Sequence, residues 1–171
     1  LYSLPQNLEA QRDYWQAFLA FNYKDFNSKV MSIKSYDQSG VMIFFNRNYP
    51  LLTRTVENLE LDLGTKITIG DGSLFSQAFQ SMSNADPSYQ YGSTQDTFSV
   101  INSPLGIYYI SQNQGKIFNI GQSLDDISVG GLKWWLAKYL PFKLLEDFPN
   151  FDVLGNTVSG IGCTTAFDNK N

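Results

Sequence analysis

Short runs of β-branched and aromatic residues, separated by polar turns that contain glycine, form the main pattern of this chain. The clearest pair is Gly-Ile-Tyr-Tyr-Ile-Ser at 106–111 and Lys-Ile-Phe-Asn-Ile at 116–120, joined by Gln-Asn-Gln-Gly. Pleated strands favour such side chains and glycine accepts a positive φ, so this pattern predicts a β-hairpin. A second hairpin is predicted where residues 30–33 and 41–45 flank a turn that ends in Gly40.

Weaker strand patterns fill much of the remaining chain. Leucines alternate with acidic residues at 59–63, which is typical of a half-buried strand, and further strands are predicted at 66–69 and 98–101. A glycine-interrupted β run is predicted at 158–167. The polar and aromatic stretch 74–91 predicts a long loop, and long loops in β domains often contact neighbouring molecules.

Three short helices are predicted. Apolar residues at helical spacing follow a possible capping residue, Asn7, over residues 7–18. A glycine pair at 130–131 leads into a helical run that we expect to end before Pro141, because the proline ring disrupts a continuing helix. A second short helical segment is predicted at 142–148.

These patterns divide the chain into a helical segment, 1–28, and a β-rich region, 29–171, with a helical insertion at about 130–148. The chain opens on Leu1 and stops in turn-like sequence directly after an apolar run. We therefore expect it to be a fragment of a longer protein.

Composition favours a component of an assembly. Only 16% of the 171 residues are charged, against about 25% in typical soluble proteins, while 15% are aromatic. Uncharged polar side chains or another protein must therefore cover much of the surface, although monomeric all-β proteins rich in Tyr and Asn share this composition. The net charge of −4 argues against nucleic-acid binding, and no apolar run approaches the roughly 20 residues that span a bilayer.

The residue types also argue against an enzyme. The chain has no histidine, so Ser–His and Cys–His nucleophile pairs and histidine metal sites are excluded within it. Gly-Asp-Gly at 70–72 is too short for an ion-binding loop and predicts a tight turn. Asp125 and Asp126 would point to opposite faces of a strand and would not converge as glycosidase carboxylates do. Cys163 is predicted to be a small buried residue. We assign no catalytic residue, cofactor or metal.

Exposed aromatic side chains are the candidate interaction residues. Adjacent positions on a helix are about 100° apart, so Trp134 and Trp135 cannot easily face one core, and we expect one to pack inward and the other to face a neighbour. Tyr139, Tyr89 and Tyr91 are candidates on the same grounds, with cross-strand packing as the alternative.

Several stretches taken together resemble a large virion structural protein of crAss-like tailed bacteriophages. The stretches that carry this resemblance are 66–77, 84–92, 109–118, 133–135 and 160–169. The resemblance implies a mainly β fold of propeller-like antiparallel blades with short helical insertions, within a larger β-rich protein. In that family the segment around Asp168 precedes a further strand that this chain lacks, which agrees with a fragment.

The resemblance implies a structural role in the tail or the portal-proximal assembly of the phage particle, which is assembled in the cytoplasm of the bacterial host. The implied partners are other virion proteins and copies of this chain, with neither nucleic acid nor membrane bound directly. The alternative is a receptor- or glycan-binding module of the phage tail that uses exposed aromatic side chains as stacking platforms.

Overall fold

Ten β-strands, arranged as two four-stranded antiparallel sheets and one separate two-stranded sheet, make up most of the regular structure in the described part of the computed structural model. The structure describes residues 23–37, 40–55, 57–60, 66–69, 74–75, 77–82, 92, 94–147 and 162–168. The helix predicted for residues 7–18 lies outside this set, as do Tyr89 and Tyr91.

The first sheet is built from the predicted 30–45 hairpin. Its strands lie in the order β1 (Val30–Ser35), β2 (Gly40–Phe45), β3 (Leu51–Arg54) and β6 (Gln80–Ser81). Strand β2 is apolar at almost every position because both of its faces are covered. Phe44 lies in the core on one face, while Phe45 is buried on the other face, where the ring of Phe26 is 5.0 Å away.

The second sheet contains the predicted 106–120 hairpin, which is confirmed. Its strands follow chain order, and they are β7 (Ile101–Ser103), β8 (Gly106–Ser111), β9 (Lys116–Ile120) and β10 (Leu124–Asp126). Tyr109 pairs with Phe118 across the hairpin. Alternate residues of β8 are buried, so one face of this sheet points into the core.

The two sheets share one hydrophobic core. Phe44 of the first sheet packs edge-on against Tyr109 of the second at 5.1 Å, and Tyr109 stacks on Phe118 at 5.2 Å. The side-chain amide of Asn102 in β7 also donates to the backbone carbonyl of Ser35 in β1 at 2.8 Å. This hydrogen bond joins strands of different sheets. The buried residues of this core are Met42, Phe44, Leu52, Val100, Ile107, Tyr109, Phe118, Ile120 and Leu124.

The other strand predictions had mixed outcomes. The strand predicted at 59–63 overlaps β4 (Glu57–Glu60), and residues 61–63 lie outside the described residues. The strand predicted at 66–69 is confirmed as β5 (Lys66–Ile69), which pairs with β4 in a two-stranded sheet. The strand expected at 98–101 begins only at Ile101, because the Ser99 amide and hydroxyl both donate to the Asp96 carbonyl and close a 3₁₀ turn over Thr97–Ser99. The described part of the predicted 158–167 run, from residue 162 onward, is not a strand.

The helical part differs from prediction at Pro141. After a 3₁₀ turn (Ile127–Gly130), helix α1 (Lys133–Lys138) continues through a π turn (Tyr139–Lys143) into α2 (Leu144–Asp147). Helix α1 itself ends before Pro141, as predicted, and α2 lies within the predicted 142–148 segment, but the π turn through Pro141 joins the two without the expected break. Proline has no backbone N–H and cannot donate the i→i−4 hydrogen bond of an α-helix. A π turn is wider, with i→i+5 hydrogen bonds, and it accommodates the proline without ending the helical path.

Candidate interaction surface

The helical appendage, which we define as residues 127–147, is anchored at its start by an ion pair and a capped turn. An oxygen of Asp126 accepts from the Ser128 amide at 3.0 Å and also from the Ser128 hydroxyl. The other oxygen of Asp126 pairs with the ammonium of Lys116 on β9 at 3.2 Å. These contacts hold the 3₁₀ turn against the second sheet.

Helix α1 is held on the turn between β8 and β9. Gly115 lies in this turn with a φ of +60°, and a Cβ atom added to it would be 2.6 Å from both the Cα of Ala137 and the carbonyl oxygen of Leu136. Leu136 is the buried residue of α1. Only glycine permits so close an approach of the helix backbone to the hairpin.

Large apolar side chains are exposed along the appendage. Trp134 is 68% exposed and Trp135 is 49% exposed, so the expectation that one tryptophan packs inward was wrong, because Leu136 fills the inward position. Val129, Leu132 and Phe142 are each at least 60% exposed as well. We call these five residues the apolar set.

The structure brings together three of the five predicted interaction residues. The rings of Trp135 and Tyr139 lie 5.1 Å apart at an interplanar angle of 32°. The ammonium of Lys138 lies 5.0 Å from the ring centre of Trp134 and 5.3 Å from that of Tyr139, within cation–π range of both. Lys138 thus links the two aromatic groups, and no pattern in the sequence singled it out.

The lysines of the appendage differ in their partners. Lys143 pairs with Asp147 at 2.7 Å and with Glu146 at 3.4 Å, and the hydrogen bond with Asp147 raises the pKa of Lys143. Neither Lys133 nor Lys138 has an ion pair with a carboxylate in the described part of the chain. The Lys138 ammonium instead lies against the rings of Trp134 and Tyr139.

A shallow groove of about 630 Å³ runs beside Trp134. Its lining combines apolar surface with the side chains of Lys133 and Lys138. The lining residues are Val129, Gly131, Lys133, Trp134, Ala137 and Lys138.

A second cleft, of about 400 Å³, lies where the turns of the two sheets meet. Three of the polar side chains that line it, those of Tyr36, Asn102 and Asp37, have partners within the protein. The hydroxyl of Tyr36 donates to the carbonyl of Gly121, Asn102 donates to Ser35, and Asp37 pairs with Arg54 at 3.2 Å. This cleft is better explained as a hydrogen-bonded seam between the sheets than as a binding site.

Asp96 and Cys163 form a buried polar contact that the sequence pattern did not predict. Asp96 is 1% exposed, and one of its carboxylate oxygens accepts from the Cys163 amide at 3.0 Å. Burial raises the pKa of Asp96, and burial followed by the nearby Asp96 charge raises the pKa of the Cys163 thiol to about 11. The thiol therefore stays protonated at neutral pH and is a poor nucleophile. Cys163 is half-buried, so it is less enclosed than predicted.

Within the ranges that the structure describes, no three Cys, Asp or Glu side chains group closely enough to hold a metal ion. No helix among the described residues has both the length and the hydropathy that crossing a bilayer would require. No protein-family model matches this sequence, and comparison with curated proteins finds no match.

Proposed function

We propose that this chain is a structural component of a bacteriophage virion, in the tail or the portal-proximal assembly, and that it acts by packing against other virion proteins and copies of itself. The observation that carries the proposal is the apolar set on the appendage. Scattered exposed apolar residues are common, but large aromatic residues concentrated on one element are typical of interfaces.

The arrangement of the two sheets supports a propeller-like organisation. The second sheet is a four-stranded antiparallel meander. In the first sheet, β1, β2 and β3 are neighbours in chain order, as in a meander. The two sheets follow each other in the sequence and share a core. Successive propeller blades have this relation. Tyr108, Ile110 and Ile117 are only half-buried on the outer face of the second sheet, where a further blade of a larger protein would pack.

The test compares two variants for incorporation into the phage particle. We expect the double variant Trp135→Ala/Phe142→Ala to be incorporated at least tenfold less than the wild type, because both side chains would lose buried contacts. The amount of the chain in purified particles is measured by quantitative mass spectrometry. Leu105→Ala is the matched control, since Leu105 is 74% exposed but lies outside the appendage. The proposal is overturned if the wild-type chain is absent from particles or if the double variant is incorporated normally.

Glycan binding is a second candidate, supported by the exposed tryptophans. However, Lys138 lies over the Trp134 ring and Tyr139 packs against Trp135, so each indole already has a protein group against it. Sugar stacking would have to use the remaining ring faces. Binding on a glycan array that disappears in Trp135→Ala would favour this candidate, and a blank array with the wild-type chain would exclude it for the glycans displayed.

A further inference from the structure

We infer that the groove beside Trp134 binds an acidic segment of a partner protein, in which an apolar side chain lies between two carboxylates. This inference rests on the proposed function, because it names the chemistry of the partner that would cover the same appendage. Three observations carry it: the apolar floor of the groove, the position of the two lysines, and the absence of carboxylate partners for these lysines in the described part of the chain.

The floor of the groove suits an apolar anchor. Trp134 is largely exposed here, and Val129 and Ala137 line the groove with it. Recognition of short segments commonly places one apolar side chain in such a groove, where its burial favours binding.

Helix geometry places the lysines at the two margins of this floor. With about 100° per residue, Ala137 and Trp134 lie about 40° and 100° around the helix axis from Lys133, and Lys138 lies at about 140°. The two lysine side chains therefore leave the helix on either side of the strip formed by Ala137 and Trp134, with the Lys138 ammonium 5.0 Å from the centre of the Trp134 ring, and Leu136 projects from a different side. A segment that crosses the helix would meet positive charge, then apolar surface, then positive charge.

An extended segment presents alternate side chains on one side, so the matching order is acid, any residue, apolar, any residue, acid. The contrast with Lys143 strengthens this assignment. Lys143 is neutralised by Glu146 and Asp147, whereas Lys133 and Lys138 line the groove and have no carboxylate partner among the described residues. Partial desolvation beside Trp134 would strengthen pairing with a carboxylate compared with a fully exposed pair.

The test uses the whole 171-residue chain and a synthetic nonapeptide with Glu-Ser-Leu-Ser-Glu at its centre. The comparison peptide has glutamine in place of both glutamates. Binding is measured by isothermal titration and by tryptophan fluorescence at two salt concentrations. We expect the acidic peptide to bind at least tenfold more tightly than the glutamine peptide, with an affinity that falls as salt rises. The variant Lys133→Glu/Lys138→Glu should lose this preference.

Lys143→Gln is the matched control, because it removes a lysine of the appendage that does not line the groove, and it should bind like the wild type. Equal affinity for the two peptides, or unchanged binding by Lys133→Glu/Lys138→Glu, would overturn the inference. Tighter binding to phosphatidylserine vesicles than to the peptide would also overturn it, in favour of a lipid surface. Normal incorporation of the double variant Trp135→Ala/Phe142→Ala would instead count against the proposed function, and would leave the peptide result standing.

Discussion

Asp96 is a buried carboxylate with an incomplete set of hydrogen bonds. Among the described residues, one of its oxygens accepts from the Cys163 amide, while the other is buried without a partner. Burial raises the pKa of Asp96, so the folded state favours the protonated form more than the unfolded state does. The stabilising contribution of this group is therefore full below the unfolded pKa of about 4 and is lost as the pH rises through the raised folded pKa.

We expect Asp96→Asn to remove this pH dependence, because asparagine keeps an acceptor for the Cys163 amide and carries no charge. Relative to the wild type, the free energy of unfolding of this variant should rise as the pH increases from about 4 to 7. Asp96→Ala should instead lower it by about 1–3 kcal/mol, since the Cys163 amide loses its acceptor. Urea unfolding at several pH values measures both effects, with the exposed Asp125→Asn as control. Parallel pH profiles for Asp96→Asn and the wild type would contradict this account.

At the scale of elements, the contact between Gly115 and helix α1 determines how the appendage is held. Gly115→Ala would place a Cβ atom against the helix backbone at a positive φ, so we expect the helix to move away from the hairpin. Hydrogen exchange of the 133–138 amides should become at least tenfold faster, and stability should fall by about 1 kcal/mol or more.

The matched control is Gly130→Ala. Gly130 lies at the end of the 3₁₀ turn, and no atom lies within 4 Å of an added Cβ there. Hydrogen exchange of α1 should be nearly unchanged in this variant. If Gly115→Ala and Gly130→Ala had equal effects, close packing against the hairpin would not be what holds the appendage.

The sequence predicted elements well where the determinants are local. The β8–β9 hairpin follows from alternating side chains and from Gly115, which lie within one stretch of chain. The helical turn through Pro141 and the exposure of both tryptophans were not predicted, because they depend on tertiary contacts. Leu136 competes for the inward position of α1, and a π turn accommodates the proline. The 3₁₀ turn at 97–99 likewise depends on hydrogen bonds to Asp96 that the apolar pattern does not record.

The grouping of the candidate interaction residues was partly predictable, because several of them lie close together in the sequence. Trp134, Trp135 and Tyr139 are conspicuous in the sequence, and the structure brings them together. The different surroundings of the lysines were not predictable, because Lys133, Lys138 and Lys143 look alike in the sequence. Only the structure shows that one of them is neutralised by its own helix while the other two line a groove.

At the scale of the whole molecule, the contact between Phe44 and Tyr109 decides whether the two sheets unfold together. Phe44 is fully buried, and its ring contacts the aromatic pair formed by Tyr109 and Phe118. We expect Phe44→Ala to lower the free energy of unfolding by about 3–5 kcal/mol, because truncation removes buried area and leaves a cavity between the sheets. Since the core is shared, both sheets should lose stability in one transition.

This expectation is tested by urea unfolding, followed by far-ultraviolet circular dichroism and by tryptophan fluorescence. Circular dichroism reports on both sheets. The tryptophans of the described region report on the appendage beside the second sheet. The two probes should give the same midpoint in the wild type and in Phe44→Ala. Ile33→Ala is the control, because Ile33 is 59% exposed on β1 and its truncation should change stability by no more than about 0.5 kcal/mol. Separate midpoints for the two probes would mean that the appendage and the second sheet beside it unfold apart from the rest of the described structure, and the expectation of a single transition would be wrong.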